Sequence, residues 1–153
     1  MNVKKRNGKS EPFNEQKIRR CVERSCVDRD GNLYDGVDSE AVMFNARIKL
    51  FDGIKTSEID NSLVKSARSM IEQEPNYKYV ASKLLINTIY KEVFGTGVDS
   101  DAFEMQYKTT FIVNLKKLIK AGIVNKEMAK MDLKMLSDNL KIGRDQNLSL
   151  IHI

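Results

Sequence analysis

Basic side chains are concentrated at the start of the chain, around a short turn. Lys5 and Arg6 precede an Asn7-Gly8 pair, and Lys17 follows a little further along. Residues 1–20 contain seven Lys or Arg and two Glu, whereas the other residues contain 19 of each charge sign. The formal net charge of +5 therefore belongs to this first segment. A local basic patch on an otherwise neutral chain indicates a partner that carries phosphate groups.

The same charge distribution is compatible with two alternatives. A solvated basic hairpin that binds nothing accounts for it about as well, because short basic runs are common. Nucleic-acid binding is less favoured, since the patch is short and no known nucleic-acid-binding motif is present. The Walker and G-x-G-x-x-G phosphate motifs are also absent. A phosphate site would therefore depend on basic side chains and on the start of a helix.

The sequence contains few residues that could bind a metal ion or support histidine-dependent catalysis. Cys21 and Cys26 are the only cysteines, and their spacing fits neither a C-x-x-C motif nor a zinc site. His152 is the single histidine, which leaves histidine-dependent catalysis with little support. We therefore expect no metal site, no catalytic residues and two reduced, packed cysteines.

The elements that position the basic side chains are a hairpin and a helix. Asn7-Gly8 is a strong hairpin signal, because both residues tolerate the positive φ of a type I′ turn. We predict strands over residues 3–6 and 9–13, the second at an edge because Pro12 cannot donate a ladder hydrogen bond. Asn14 is the predicted N-cap of the following helix.

Apolar periodicity and capping residues predict a mainly α fold. The hairpin caps a four-helix unit over residues 1–95, and two or three further helices follow in residues 96–153, after a linker at 96–100. The predicted helices are 15–27, 39–50 capped by Ser39, a third from Thr56 or Ser57 to about 74, 77–94 ended by Gly95, 101–121 ended by Gly122, 125–131 and 132–140.

Residues 141–153 show no clear pattern and end in an apolar run. We interpret this as part of a longer protein, with a final core strand as the alternative. No apolar run approaches the roughly 20 residues of a membrane span, and the start lacks the apolar core of a signal peptide. A cytoplasmic location without a membrane partner is the expectation.

Several short motifs, in this order, resemble an ATP-cone domain over about residues 3–95. They are Val3-x-Lys5-Arg6-x-Gly8, Phe13-Asn14-x-x-Lys17-Ile18, Asp52-Gly53-Ile54-x-Thr56-x-x-Ile59, and Lys91 in a helix closed by Gly95. The third motif and the segment from Tyr107 to Gly122 are similar to the large subunit of aerobic (class I) ribonucleoside-diphosphate reductase. That resemblance implies an N-terminal regulatory cone.

The resemblance also implies roles for individual residues in a site for ATP or dATP, normally with magnesium. Lys5 and Arg6 would bind phosphates. Glu11, Phe13 and Asn14 would surround the base and sugar. Lys17, Thr56 and Lys91 would complete the phosphate shell, and Ile59 would pack near the base. In this family the effector acts by changing the assembly of large subunits and the radical-bearing small subunit.

Two positions depart from the family pattern near the nucleotide. Asp60 stands where some members carry His, and Asn87 where some carry an aromatic residue. A cone that folds but binds poorly is therefore one alternative. A stand-alone regulatory cone without enzyme activity and an anaerobic reductase cone are the others. The family's catalytic cysteines and barrel have no counterpart in this chain, so we expect it to be inactive alone.

Overall fold

The computed structural model describes residues 1–47, 50–95 and 103–147 of the chain. Within these residues the chain is mainly helical with an N-terminal hairpin, as predicted. The strands are β1 (Asn2–Lys4) and β2 (Ser10–Pro12), and the α-helices are α1 (Glu15–Ser25), α2 (Ser39–Arg47), α3 (Thr56–Ser69), α4 (Tyr77–Phe94), α5 (Phe103–Lys120) and α6 (Leu133–Asp138). Two 3₁₀ helices cover Lys126–Lys130 and Ile142–Asn147.

Four predictions lie outside the described residues: the last part of the second helix at 48–49, the linker at 96–100, the start of the fifth helix at 101–102, and the apolar run at 148–153. Others need correction. The segment 125–131, predicted to be helical, forms the first 3₁₀ helix, and the segment after residue 141, for which no element was predicted, contains the second.

The hairpin turn differs from the predicted type I′ turn. Gly8 has φ of 83°, but no non-glycine residue among those described has a positive φ, which excludes the predicted conformation of Asn7. The Gly8 N–H donates to the Lys5 carbonyl at 2.9 Å, and the Lys5 N–H donates to the Lys9 carbonyl at 2.8 Å. This pattern fits a three-residue loop in which a type I turn is followed by a left-handed glycine.

β1 is flanked on both sides. On one side it pairs antiparallel with β2, with Val3 opposite Glu11. On the other side, the Lys4 N–H donates to the Ile54 carbonyl and the Gly53 N–H to the Asn2 carbonyl, both at 2.9 Å. β2 is therefore the edge strand, as predicted from the presence of Pro12, which cannot donate a ladder hydrogen bond. The second set of bonds fixes the hairpin to the segment that leads into α3.

Two helix starts are corrected by the observed caps. The Asp38 carboxylate accepts from the Glu40 N–H at 2.8 Å, so Asp38 rather than Ser39 caps α2. The N-cap of α3 is Lys55, with extended backbone, and Thr56 is the first helical residue. α1 and α3 end at residues 25 and 69, earlier than predicted. In both cases the apolar periodicity of the sequence continues beyond the last helical residue, which explains the late predicted ends.

The chain divides into two compact units: residues 1–89 with 145–147, and residues 90–144. The first unit has an apolar core built from β1 and from α1 to α4, and among its most buried members are Val22, Val42, Ala67 and Val80. Ser66, also buried, donates to the Val42 carbonyl at 2.8 Å and joins α3 to α2. The predicted division at residue 95 stays a prediction.

The second unit contains an aromatic cluster of Tyr90, Phe94, Phe103 and Tyr107. The Tyr90 and Phe103 rings lie 4.8 Å apart and the Phe94 and Tyr107 rings 5.4 Å apart. Tilted ring pairs at such distances are favourable beyond the area they bury. The end of α4 and the start of α5 are therefore held together by their rings.

Cys21 and Cys26 are not joined in a disulfide, as predicted. Cys26 is fully buried, and burial raises the pKa of its thiol to about 12. A thiol that stays protonated near neutral pH is a poor nucleophile, so Cys26 is a core residue. Among the described residues, no helix is both long enough and apolar enough to cross a membrane.

Candidate functional site

Arg6, in the hairpin loop, forms an ion pair with α3. Both terminal nitrogens of its guanidinium donate to one Asp60 carboxylate oxygen at 3.1 Å. The side chains are 29% and 11% exposed, so the pair is moderately shielded from water. The hairpin is thereby joined to α3 by side chains as well as by the backbone bonds of β1.

Lys5 forms a second ion pair within the hairpin. Its ammonium lies 2.8 Å from the Glu11 carboxylate on the facing strand. The hydrogen bond from Lys5 lowers the pKa of Glu11 and outweighs the opposing effect of burial, and the charges of Lys5 and Lys17 also lower it. Glu11 therefore lies within the field of two predicted phosphate ligands.

The start of α1 brings Lys17 to the same region. The Asn14 side chain accepts from the Lys17 backbone N–H at 3.2 Å, which confirms Asn14 as the N-cap. Lys17 follows in the first helical turn, with an exposed side chain. The cap fixes the position at which the chain turns from β2 into α1.

The start of α3 lies beside β1. Thr56 is its first residue and is partly buried, and Lys55 and the Lys4 backbone form a parallel bridge. Helix starts favour anions because their first N–H groups lack helical partners. Here a carboxylate is present as well, because the Glu58 side chain accepts from the Lys55 N–H at 3.4 Å.

A small apolar pocket, with a cavity volume of about 10 Å³, lies between α1, α2 and α3. Phe13 and Ile59, both predicted to lie near a base, are among its lining residues. The remaining lining residues are Glu15, Ile18, Met43, Ala46, Arg47, Leu50 and Leu63.

The polar members of the pocket lining are paired across two helices. Arg47 of α2 donates to both oxygens of the Glu15 carboxylate at 2.6 Å. Arg19 lies 3.8 Å from Glu15 on α1 and also pairs with Glu40 of α2. Two of these ion pairs, Arg47–Glu15 and Arg19–Glu40, connect α1 to α2, and Arg47–Glu15 is part of the pocket lining.

Lys91 and Asn87 lie on α4. Asn87 is buried and its amide donates to Cys21 Sγ at 3.1 Å, so it packs against α1. Lys91 lies in the last turn of α4, within the second compact unit. Its place in a phosphate shell stays a prediction.

Sequence reasoning did not identify several features of this site. The Asp60 partnership with Arg6 and the contribution of α2 to the pocket depend on contacts between residues distant in sequence. Apolar spacing in residues 39–50 predicted a helix but gave no sign of a pocket. Among the described residues, no group of three or more His, Cys, Asp or Glu is placed to hold a metal.

The relatives found by comparison with known proteins include several ribonucleoside-diphosphate reductase alpha subunits. The chain is 31% identical over 153 residues to a ribonucleoside-diphosphate reductase subunit alpha of Helicobacter pylori, covering 99% of this chain and 18% of the relative. A Chlamydia pneumoniae protein of that name is 30% identical over 119 residues, covering 76% of this chain and 11% of the relative.

A third relative, ribonucleoside-diphosphate reductase 1 subunit alpha of Salmonella typhimurium, is 34% identical over 94 residues, covering 61% of this chain and 12% of the relative. The chain thus spans less than a fifth of the length of these three relatives. Residues 1–92, which include the hairpin, α1 to α3 and most of α4, match the family described as ATP cone domain. The chain therefore belongs to the ATP-cone family.

Proposed function

We propose that the first unit binds ATP or dATP as an allosteric effector and is the regulatory region of a ribonucleoside-diphosphate reductase large subunit. The observation that carries the proposal is the match of residues 1–92 to the ATP cone domain, and Phe13 and Ile59 line one small apolar pocket within it. The Asn14 cap and Lys17 follow Phe13 directly in the chain. One end of the site is thus apolar and the other basic, as an adenine nucleotide requires.

The pocket is small in this structure. Its cavity volume of about 10 Å³ leaves room for about one water molecule, far below the roughly 300–1,000 Å³ of ligand pockets, so a base would enter only if the lining side chains moved apart. A planar base would pack against Phe13, Ile18 and Ile59, and the sugar and phosphates would lie outside. Glu15 and Arg47, the polar members of the lining, are candidates to contact the base edge.

The phosphates would lie among the hairpin, α1 and α3. Lys5, Arg6 and Lys17 supply positive charge, and Thr56 supplies a hydroxyl and an N–H at a helix start. Magnesium would accompany the triphosphate. Glu11 and Asn14, at the junction of β2 and α1, would lie near the sugar and base.

Binding of ATP and dATP by the purified chain, measured by isothermal titration calorimetry, tests the proposal. We expect saturable binding of at least one nucleotide and a raised melting temperature, because a ligand of the folded state stabilises it. Ile18→Ala removes part of the pocket wall and should weaken binding about three- to tenfold.

Ile123→Ala is the matched control for that variant. It makes the same change at a residue that is 73% exposed, and it should leave affinity unchanged. Lack of binding of either nucleotide at millimolar concentration would show that the cone is degenerate. Equal effects of the two variants would show that the base does not occupy the pocket.

The proposed output is a change in subunit assembly. An effector shifts an assembly equilibrium only if it binds the two states with different affinity. The partners would be other large subunits and the radical-bearing small subunit.

We predict no reductase activity from this chain alone, because its two cysteines lie in the cone and Cys26 is buried. The assay is turnover of a ribonucleoside diphosphate by the purified chain with a small subunit and a reductant. A longer large subunit serves as the positive control. Product above the background of the small subunit alone would contradict the prediction.

A further inference from the structure

The Arg6–Asp60 ion pair involves a side chain that the proposed phosphate site requires. Arg6 donates through two nitrogens to a single carboxylate oxygen, and the Asp60 side chain is only 11% exposed. A phosphate group binds guanidinium with the same donor groups. A nucleotide that uses Arg6 must therefore share it with Asp60 or displace that carboxylate.

The surroundings make displacement the more favourable course. A phosphate close to Arg6 would lie near the Asp60 carboxylate, and like charges at short distance repel. Glu58 adds another negative charge to the first turn of α3. The positive end of this helix is therefore partly neutralised before any anion approaches.

We propose that Asp60 is a built-in competitor of the nucleotide phosphates for Arg6 and thereby sets the affinity and the threshold concentration of the effector. The inference rests on the proposed function and adds a residue to it. Binding exchanges a carboxylate for a phosphate on the same guanidinium. The exchange also releases the side-chain link between the hairpin and α3, while the backbone bonds of β1 to residues 53–54 can persist.

The test is the affinity of ATP for the Asp60→Asn variant, measured by calorimetry at fixed salt. Asparagine keeps the shape of the side chain and removes its charge. We expect binding about three- to tenfold tighter than that of the wild type, because a moderately shielded ion pair and a local repulsion are both removed. Unchanged or weaker binding overturns the proposal.

Glu58→Gln is the matched control. It removes the same charge two residues away in the first turn of α3, but its carboxylate bonds to the Lys55 N–H rather than to Arg6. We expect its affinity to remain within about twofold of the wild type, since screening weakens the effect of an exposed charge. A gain equal to that of Asp60→Asn would show that only the general field matters and would overturn the proposal.

A double-mutant cycle separates competition from simple repulsion. If Asp60 competes for Arg6, Arg6→Ala should reduce affinity by a larger factor in the Asp60→Asn background than in the wild type. Additive effects would contradict competition. If no variant binds nucleotide at millimolar concentration, the proposed function fails; if nucleotide binds but the cycle is additive, only the role of Asp60 fails.

Discussion

Replacement of Lys17 by alanine is expected to weaken ATP and dATP binding by roughly ten- to a hundredfold. Charge-assisted hydrogen bonds to phosphate contribute on the order of 1.5–3 kcal/mol, and each 1.4 kcal/mol corresponds to about a factor of ten in affinity. Lys17 follows the Asn14 cap in the first turn of α1. Its side chain is exposed, so its loss should affect the ligand far more than the fold.

Lys17 is also the predicted phosphate ligand best suited to such a test. Lys5 and Arg6 each form an ion pair with a carboxylate, so their removal leaves Glu11 or Asp60 without that partner. An alanine at either position therefore changes two charged groups at once. At Lys17 the measured loss of affinity reports more directly on the contact with phosphate.

Lys116→Ala provides the control for this variant. It removes the same charge from an exposed position on α5, in the second unit, and should leave the dissociation constant unchanged. Calorimetric titrations of the two variants and the wild type with ATP, under identical salt, make the comparison. If Lys116→Ala were as damaging as Lys17→Ala, the phosphate site would be misplaced.

Local signals were sufficient to predict the hairpin, the start of α1 and the glycine residues that follow α4 and α5. The Asn14 cap and the glycines that follow α4 and α5 act within a few residues, and Gly95 and Gly122 have φ of 75° and 73°. Left-handed glycines end helices because they lack a Cβ. Such features need no tertiary information, so the element order could be predicted from the sequence.

The hairpin turn shows where local signals were insufficient. Asn-Gly is compatible with the type I′ turn of a two-residue loop and also with a three-residue loop, and loop length is fixed by register. Here Val3 is buried opposite Glu11, and β1 is also bonded to residues 53–54. The pairing of β1 on both sides, which depends on residues about 50 positions away, therefore favours one turn over the other.

The predicted N-cap of α3 was wrong for a related reason. Thr56 and Ser57 are the better capping residues by type. Lys55 occupies the cap position because the Lys4 backbone pairs with it and holds it extended. Thr56 is thereby moved into the first helical turn, where its N–H and hydroxyl are available near the hairpin.

The second large effect concerns the stability of the first unit. We expect Leu84→Ala to lower the free energy of unfolding by about 2–5 kcal/mol, the usual cost of removing a buried leucine side chain and leaving a cavity. Leu84 is 3% exposed and belongs to the core that α4 shares with α1, α2 and α3. Its loss weakens packing on the long helix rather than any contact in the proposed site.

Native-state hydrogen exchange of the slowest amides in α3 and α4 measures this change, because their protection reports the free energy of unfolding. A loss of about 2 kcal/mol corresponds to about a thirtyfold drop in protection. Leu33→Ala makes the same substitution at a side chain that is 61% exposed, and it should change the free energy by less than about 0.5 kcal/mol. Equal losses in both variants would mean that α4 does not organise this core.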